Sequence, residues 1–136
     1  MKVHSTNYYN TFIEVAGDSK VSKGTIPPIT EKKTIARLQY EIITESPYTL
    51  SSDDVLFQLY AERNGLPPET YAEARALFFS KGQPCLRTSP LSKKWGFGIH
   101  HNNEGKIALY GVETEEYRFF LNDSNTLKVK AMRSRK

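Results

Sequence analysis

Cysteine is almost missing from this sequence: Cys85 is the single cysteine among 136 residues. One thiol cannot form a disulfide within the chain, which fits a protein of a reducing compartment. Apolar residues are also scarce, at 38%, and no apolar run approaches the roughly 20 residues that a helix needs to cross a membrane. The first ten residues lack the apolar core of a secretory signal. These absences argue against a disulfide-stabilised secreted scaffold and a helical membrane protein, and they predict a cytoplasmic domain.

Acidic residues are missing from one place, the last ten residues, 127–136. This segment carries five basic residues: Lys128, Lys130, Arg133, Arg135 and Lys136. The whole chain has 19 basic and 15 acidic residues, so without these five the remainder holds 14 basic residues against 15 acidic ones. The net charge of +4 is therefore a property of the C-terminal segment, and the body of the protein is nearly neutral.

Aromatic residues are what the sequence has in abundance, with eight tyrosines, seven phenylalanines and one tryptophan. A chain of 136 residues has the size of one ordinary domain with a hydrophobic core of its own. We therefore predict one domain over residues 1–136, with a core built largely of aromatic rings and with residues 133–136 as a flexible basic tail.

Four segments have the composition of β-strands. Residues 11–16 are rich in β-branched and aromatic side chains, and residues 127–131 alternate apolar with longer polar or flexible side chains. Residues 95–100 and 106–112 are two apolar runs joined by the turn-rich residues 101–105, which is the pattern of a β-hairpin. The sequence therefore predicts a small sheet made of an N-terminal strand, a central hairpin and a C-terminal strand.

The clearest helix follows residue 51. Ser51 or Ser52 caps it, and Asp53 and Asp54 occupy its first turn, where acidic residues favour the helix dipole. The Asn-Gly pair at 64–65 ends it. The capping position is a sufficient reason for both aspartates, so we do not interpret them as a catalytic carboxylate pair.

Two further helices are predicted from the same features. One starts after the proline pair at 67–68, runs through Tyr71, Ala74, Leu77 and Phe78, and ends at Gly82. Residues 114–121 begin with a threonine in the capping position.

Two segments are less clear. Residues 32–45 fit a half-buried strand by their alternation, but Ile35, Leu38 and Ile42 also share one helical face, and good helix formers favour a helix. Residues 83–94 contain two prolines, which indicates a loop or an edge strand. With strands at both ends and helices between them, the fold class is α+β, a single domain with a small antiparallel sheet packed against three to four helices.

Several segments together resemble a family of short bacterial proteins that is known only as a domain of unknown function. The matching segments are residues 7–15, 47–48, 52–57, 79–87, 96–100, 106–112 and 128–136. They extend over nearly the whole chain. The resemblance implies one intact cytoplasmic, bacterial domain, and it implies no activity, cofactor or catalytic residue.

Cysteine and histidine form the first candidate site. A cysteine nucleophile needs a nearby base, which Cys85 could find in His100 or His101. No family signature surrounds Cys85, and it lies well past the predicted helix end, so a structural thiol is the interpretation we favour. The sequence therefore favours a protein that is not an enzyme, with a Cys–His enzyme centred on Cys85 as an alternative.

No metal site and no cofactor are predicted. His100 and His101 are adjacent, and neighbouring residues on a strand point to opposite faces, so the two cannot easily share one ion. No pair of residues has the spacing of a zinc site.

Arg87, Trp95 and His100 form the second candidate site, because they bring a cation, an aromatic ring and an imidazole to the region of the hairpin. Such a mixture can hold an anionic ligand or stack on a base. We therefore predict a small non-enzymatic ligand-binding or interaction module, with an unidentified small molecule or protein as its partner.

The third candidate site is the C-terminal segment. Its five basic residues could bind nucleic acid or another polyanion weakly and without sequence specificity. In the predicted strand, Leu127, Val129 and Ala131 pack inward while Lys128 and Lys130 lie on the other face. Lysines that protect a sheet edge from aggregation would explain the same pattern.

Overall fold

A computed structural model describes residues 4–133 of the chain. The strands are β1 (Thr11–Glu14), β2 (Phe97–His101), β3 (Ile107–Gly111) and β4 (Leu127–Lys130). The helices are α1 (Ile35–Glu45), α2 (Ser52–Arg63), α3 (Tyr71–Phe78), α4 (Pro90–Lys93) and α5 (Glu115–Asn122). Two 3₁₀ turns, Pro68–Thr70 and Leu86–Thr88, complete the secondary structure of the described residues. The predicted α+β class is confirmed.

The four strands form one sheet in the order β3-β2-β1-β4. The pairs β1–β2 and β2–β3 are antiparallel, but β4 pairs parallel to β1, with Ile13 opposite Val129. The sheet is therefore mixed, and the prediction of a wholly antiparallel sheet is wrong in this detail. The reason is that β1 and β4 are joined by a long crossover that includes every helix, and a crossover of that length can return a strand in either direction.

The two faces of the sheet carry different kinds of side chain. Ile13, Ile99 and Ile107 are completely buried on the face that carries the main hydrophobic core, where residues of α1, α2 and α4 pack. Phe12 lies on the opposite face and pairs in register with His100 on β2 and Lys128 on β4. The short α5 covers this second face, and the rings of Tyr117 and Phe120 pack on Phe12.

The segment 32–45 is helical from residue 35, which confirms the favoured interpretation. The Thr34 hydroxyl accepts a hydrogen bond from the backbone N–H of Arg37, as an N-cap does. The buried side chains recur at helical spacing: Ala36, Gln39, Ile42 and Ile43. Burial of this face against the sheet decides between the two periodicities that the sequence leaves open.

The segment 83–94 is neither an edge strand nor a simple loop, because it folds into two helical turns. The Ser89 hydroxyl accepts from the N–H of Leu91, and Pro90 takes the first position of α4, where a missing N–H does no harm. Leu86 and Leu91 are the buried anchors of these turns. The two prolines of this segment thus indicate correctly that it is not a central strand. They are compatible with the first turn of a helix, which the prediction of a loop or an edge strand did not include.

One predicted apolar stripe is only partly buried. Leu127 on β4 is 69% exposed, so it does not pack inward as predicted, and Leu77 on α3 is 70% exposed. Tyr71 and Phe78 of α3 are half-buried and pack against a second small core formed by Phe57, Ala61 and Phe79. Among residues 4–133, none of the helices has both the length and the apolar character needed to cross a membrane.

Candidate functional site

Arg87 and Trp95 both make contacts within the folded chain that stabilise the domain. The Arg87 guanidinium donates from Nε to the backbone carbonyl of Lys130 at 2.7 Å, and the Arg87 carbonyl accepts from the N–H of Met132 at 2.7 Å. Arg87 therefore fastens the outer edge of β4. Trp95 is half-buried and packs against the main core.

His100 lies on the opposite face of the sheet from this core. Its ring stacks on Phe120 with centroids 3.9 Å apart, and its Nδ1 is 2.8 Å from the hydroxyl of Tyr48. Within residues 4–133 no described contact joins His100 to Arg87 or Trp95. The three predicted ligand-binding residues are each placed by local packing, and their joint role stays a prediction.

Tyr48 is the centre of a small polar network. Its hydroxyl lies 2.8 Å from His100 Nδ1 and 2.8 Å from the hydroxyl of Tyr110. Its backbone has φ = 57°, a left-handed conformation that is uncommon outside glycine. Burial, together with the hydrogen bond to Tyr110, raises the pKa of Tyr48, and burial lowers the pKa of His100 against the opposing charge of Asp123. Both shifts favour neutral side chains, so the network is a set of neutral hydrogen bonds at neutral pH.

Cys85 has a phenol, and not an imidazole, as its described hydrogen-bond partner. Its sulfur lies 3.2 Å from the hydroxyl of Tyr8. Burial first, and then the contact with Cys85, raises the pKa of Tyr8 to about 12. A neutral phenol of this kind cannot accept a proton from the thiol at neutral pH. The pairing of Cys85 with a histidine base therefore gains no geometric support from the described hydrogen bonds and stays a prediction.

His101 points into the core, as the alternation with His100 predicts. Its side chain is fully buried, and within residues 4–133 neither ring nitrogen has a well-aligned hydrogen-bond partner, although the backbone of Thr11 and Ile99 lies close to the ring. Burial lowers its pKa to about 4, so the ring is neutral at neutral pH. Tyr8 meets this ring edge-on, with centroids 5.3 Å apart. Over residues 4–133, no group of three or more His, Cys, Asp or Glu side chains is arranged to hold a metal ion.

The two aspartates of α2 have different roles. Asp54 completes a capping box with Ser51, and Arg75 of α3 pairs with it at 2.9 Å. Burial opposes ionisation of Asp54, but the hydrogen bonds from Ser51 and Arg75 outweigh it and hold the pKa of this carboxyl below its ordinary value. Asp53 is buried and does more than favour the helix dipole, because it accepts from the N–H and the hydroxyl of Thr6, both at 2.7 Å.

An apolar cleft of about 290 Å³ opens beside the C-terminal half of α2. The rings of Tyr60 and Phe78 lie in it with centroids 4.7 Å apart, and Leu56 and Leu59 add aliphatic surface. The remaining lining residues are Arg63, Asn64, Gln83, Pro84 and Thr88. The cleft thus joins an aromatic surface to a few polar groups, which is the usual composition of a small-molecule site.

A second, larger depression of about 700 Å³ lies at the start of α1. It is lined by Lys32, Lys33, Thr34, Ile35, Leu38, Glu62, Arg63 and Asn64. Lys33 is paired with Glu41 at 2.8 Å, whereas the guanidinium of Arg63 and the ammonium of Lys32 have no described partner within residues 4–133. Glu62 supplies the one carboxylate of this lining, against Lys32, Lys33 and Arg63, so the depression has a small excess of positive charge.

The two depressions share Arg63 and Asn64, at the end of α2. We call the combined surface the α2 groove. It has an apolar aromatic part at one end, a cationic part at the other, and Arg63 at the junction. Sequence reasoning missed it because its walls come from three distant segments. The only local signals are a lysine pair before the cap of α1 and an arginine before the Asn-Gly end of α2.

The predicted polyanion-binding residues differ in their exposure to solvent. Lys128 is half-buried, and its ammonium donates to the carbonyl of Asp123 at 2.6 Å. Lys130 and Arg133 are exposed near the end of β4, which is an edge strand as predicted. Arg135 and Lys136, with most of the predicted basic tail, lie outside the described residues.

Comparison with known proteins gives one match. A family model described as "Family of unknown function (DUF6157)" matches residues 3–136. No curated protein and no solved structure matches the chain. The geometry of the site is therefore the main source for a functional argument.

Proposed function

The chain belongs to a family of unknown function (DUF6157), and we propose from its geometry that it is a non-enzymatic module that binds a small organic anion in the α2 groove. The observation that carries this proposal is the junction at Arg63, where an aromatic cleft and a cationic depression meet. A ligand that fills both has a flat apolar body and a negatively charged group.

Apolar contact supplies most of the binding free energy in this proposal. The cleft of about 290 Å³ is close to the lower end of the range for small-molecule sites, about 300–1,000 Å³. Burial of apolar surface contributes roughly 25 cal/mol per Å². The exposed ring of Tyr60 and the half-buried ring of Phe78 thus favour a ligand with one or two fused rings.

The cations orient the ligand more than they tighten it. Arg63 and Lys32 are exposed, and an exposed ion pair contributes only about 0.2–1 kcal/mol. That free energy corresponds to a preference of about 1.4- to five-fold for the anionic form of a ligand over its neutral form. The preference should fall as salt rises, because exposed charges are screened.

A cytoplasmic location is part of the proposal. Its support is the single cysteine, which is free in the structure and hydrogen-bonded to Tyr8. A protein of a reducing compartment needs no disulfide.

A thermal-shift measurement with matched probes tests the function. The probes are 2-naphthoate and its neutral analogue 2-naphthamide, since a ligand that prefers the folded state raises the melting temperature. We expect both to stabilise the protein and naphthoate to do so more. Tyr60→Ala should weaken both, whereas Arg63→Gln should remove only the preference for naphthoate.

The matched controls are Arg118→Gln and Phe119→Ala on α5, which replace an exposed arginine and an exposed phenylalanine away from the groove. They should leave both shifts unchanged. The proposal is wrong if neither probe raises the melting temperature, or if the control variants lose as much as Arg63→Gln and Tyr60→Ala.

A second candidate function is weak polyanion binding through the exposed Lys130 and Arg133. Its support is their position on and just after the edge strand β4, next to further basic residues in the sequence. Binding of this kind is electrostatic and independent of nucleotide sequence.

A further inference from the structure

Two amide side chains of the α2 groove have a fixed orientation. The Gln83 amide donates from Nε2 to the carbonyl of Phe78 at 2.7 Å, and the Asn64 amide donates from Nδ2 to the carbonyl of Tyr60 at 2.8 Å. Both carbonyls belong to the last turn of a helix, α3 and α2 respectively, where backbone oxygens run short of partners within the helix. The Tyr60 carbonyl also accepts from the backbone N–H of Asn64 at 3.1 Å. The two amides therefore act as caps for these helix ends.

This capping role decides which amide atom is left for a ligand. A carbonyl oxygen accepts only from a donor, so the NH₂ group of each amide must face the helix end. The oxygens, Oε1 of Gln83 and Oδ1 of Asn64, accept no described hydrogen bond within residues 4–133. The groove thus offers hydrogen-bond acceptors beside an aromatic surface, and Gln83, which is half-buried, is the stronger of the two.

Donors are found at the other end of the groove. Arg63 and Lys32 carry only N–H groups, and a guanidinium matches the geometry of a phosphate or carboxylate. The groove therefore accepts hydrogen bonds at the end near Tyr60 and donates them at the end near Lys32. A complementary ligand carries a donor on its ring and an anionic group at its far end.

We propose that the α2 groove binds nucleoside monophosphates whose base carries an amino group, of which adenosine monophosphate is the simplest purine example. This inference rests on the proposed function and names the ligand class for the same site. The base lies on Tyr60 and Phe78, its amino group donates to Gln83, and the phosphate meets Arg63 and Lys32. Stacking on aromatic side chains holds any base, so the amide is what distinguishes one base from another.

Inosine monophosphate is the discriminating competitor. It has the size, sugar and phosphate of adenosine monophosphate, but a carbonyl oxygen replaces the amino group. That oxygen would face Oε1 of Gln83, and two acceptors cannot bond to each other. Loss of one half-buried hydrogen bond should weaken binding about ten-fold.

Isothermal titration calorimetry with four probes tests this inference. The probes are adenosine monophosphate, inosine monophosphate, ribose 5-phosphate and 2-naphthoate. We expect adenosine monophosphate to bind about ten-fold more tightly than inosine monophosphate and ribose 5-phosphate to bind weakest. Gln83→Met removes the acceptor and should bring the ratio between the two nucleotides close to one.

The control is Gln58→Met, a half-buried glutamine of α2 that does not line the groove, and it should keep the ten-fold ratio. Equal binding of the two nucleotides to the wild type, or equal binding of ribose 5-phosphate, would overturn the nucleotide inference. If 2-naphthoate still binds in that case, the proposed function stands without it. If no probe binds, both are wrong.

Discussion

The hydroxyl oxygen of Tyr48 lies 2.8 Å from Nδ1 of His100, although 52 positions separate the two residues in the chain. This bond, together with the one to Tyr110, ties the turn before α2 to the middle of the hairpin. The backbone N–H of Tyr48 also donates to the carbonyl of Ile107 at 2.8 Å. These contacts hold a non-glycine residue in a left-handed conformation, which costs about 1–3 kcal/mol when unsupported.

The first prediction concerns this phenol. Tyr48→Phe keeps the ring and removes the hydroxyl, so His100 and Tyr110 lose their shared partner. We expect the free energy of unfolding to fall by about 1–2 kcal/mol. Urea denaturation measures the change. Tyr9→Phe is the control, since Tyr9 is 54% exposed and its hydroxyl has no described partner in residues 4–133, and an equal loss in both variants would contradict the role of the network.

The second prediction concerns acid stability. The pKa of His101 is about 4 in the folded protein, against an ordinary value of 6.5, because the ring is buried. Between these two pH values His101 is protonated in the unfolded chain and neutral in the folded protein. The free energy of unfolding therefore decreases as pH falls from about 6.5 towards 4. Complete passage through this window should remove about 3 kcal/mol.

Comparison with His101→Phe isolates this contribution, since phenylalanine keeps a buried ring beside Tyr8 and cannot titrate. Urea unfolding of both proteins between pH 7.5 and pH 4 gives the difference. We expect the stability of the wild type to fall more steeply with acid than that of the variant. Parallel curves for the two proteins would show that His101 is not the group responsible.

The third prediction concerns the attachment of the N-terminal segment. Asp53→Ala leaves the N–H of the buried Thr6 without its acceptor and leaves the Thr6 hydroxyl only the Ser52 hydroxyl, at 2.9 Å, as a partner. The hydroxyl of Ser5 loses a bond of 2.9 Å. The loss should be about 2–3 kcal/mol, with faster hydrogen exchange in residues 5–7. Glu69→Ala, an exposed acid of the turn before α3, should change neither quantity. Unchanged exchange in Asp53→Ala would disprove the anchoring role.

The fourth prediction concerns polyanions. Fluorescence anisotropy with a thymidine oligonucleotide should show binding of the order of 10⁻⁴–10⁻⁶ M that weakens as salt rises. The double variant Lys130→Gln with Arg133→Gln should bind more weakly and show a smaller salt dependence. Arg118→Gln, which removes one exposed positive charge elsewhere on the surface, serves as the control. An unaltered titration curve for the double variant would place any binding elsewhere.

Local signals predicted the elements whose formation depends on local chemistry. The cap of α2 at Ser51, the cap of α5 at Thr114 and the Asn-Gly end of α2 are set by side chain to backbone bonds within a few residues. The hairpin is predictable for the same reason, since its turn lies between two adjacent apolar runs.

Long-range arrangement was not predictable in the same way. Apolar and polar residues alternate in the same way in a parallel and in an antiparallel strand. The sequence pattern therefore could not show that β4 runs parallel to β1. Asp53 occupies a capping position in the sequence, and only the folded chain reveals Thr6 beside it. The α2 groove needs α1, α2 and the segment after α3 to meet, which no single segment encodes.

The measurement that tests the central claim most directly is a ¹H–¹⁵N NMR titration of the full chain with adenosine monophosphate. The claim is that the α2 groove binds nucleoside monophosphates whose base carries an amino group, so the largest shifts should fall on the backbone amides of Lys33, Arg63, Asn64 and Gln83. The amides of His100 and Tyr110, on the other face of the sheet, should stay in place. Saturable shifts that centre on His100 and Tyr110 instead, or no saturable shift at any residue, would contradict the claim.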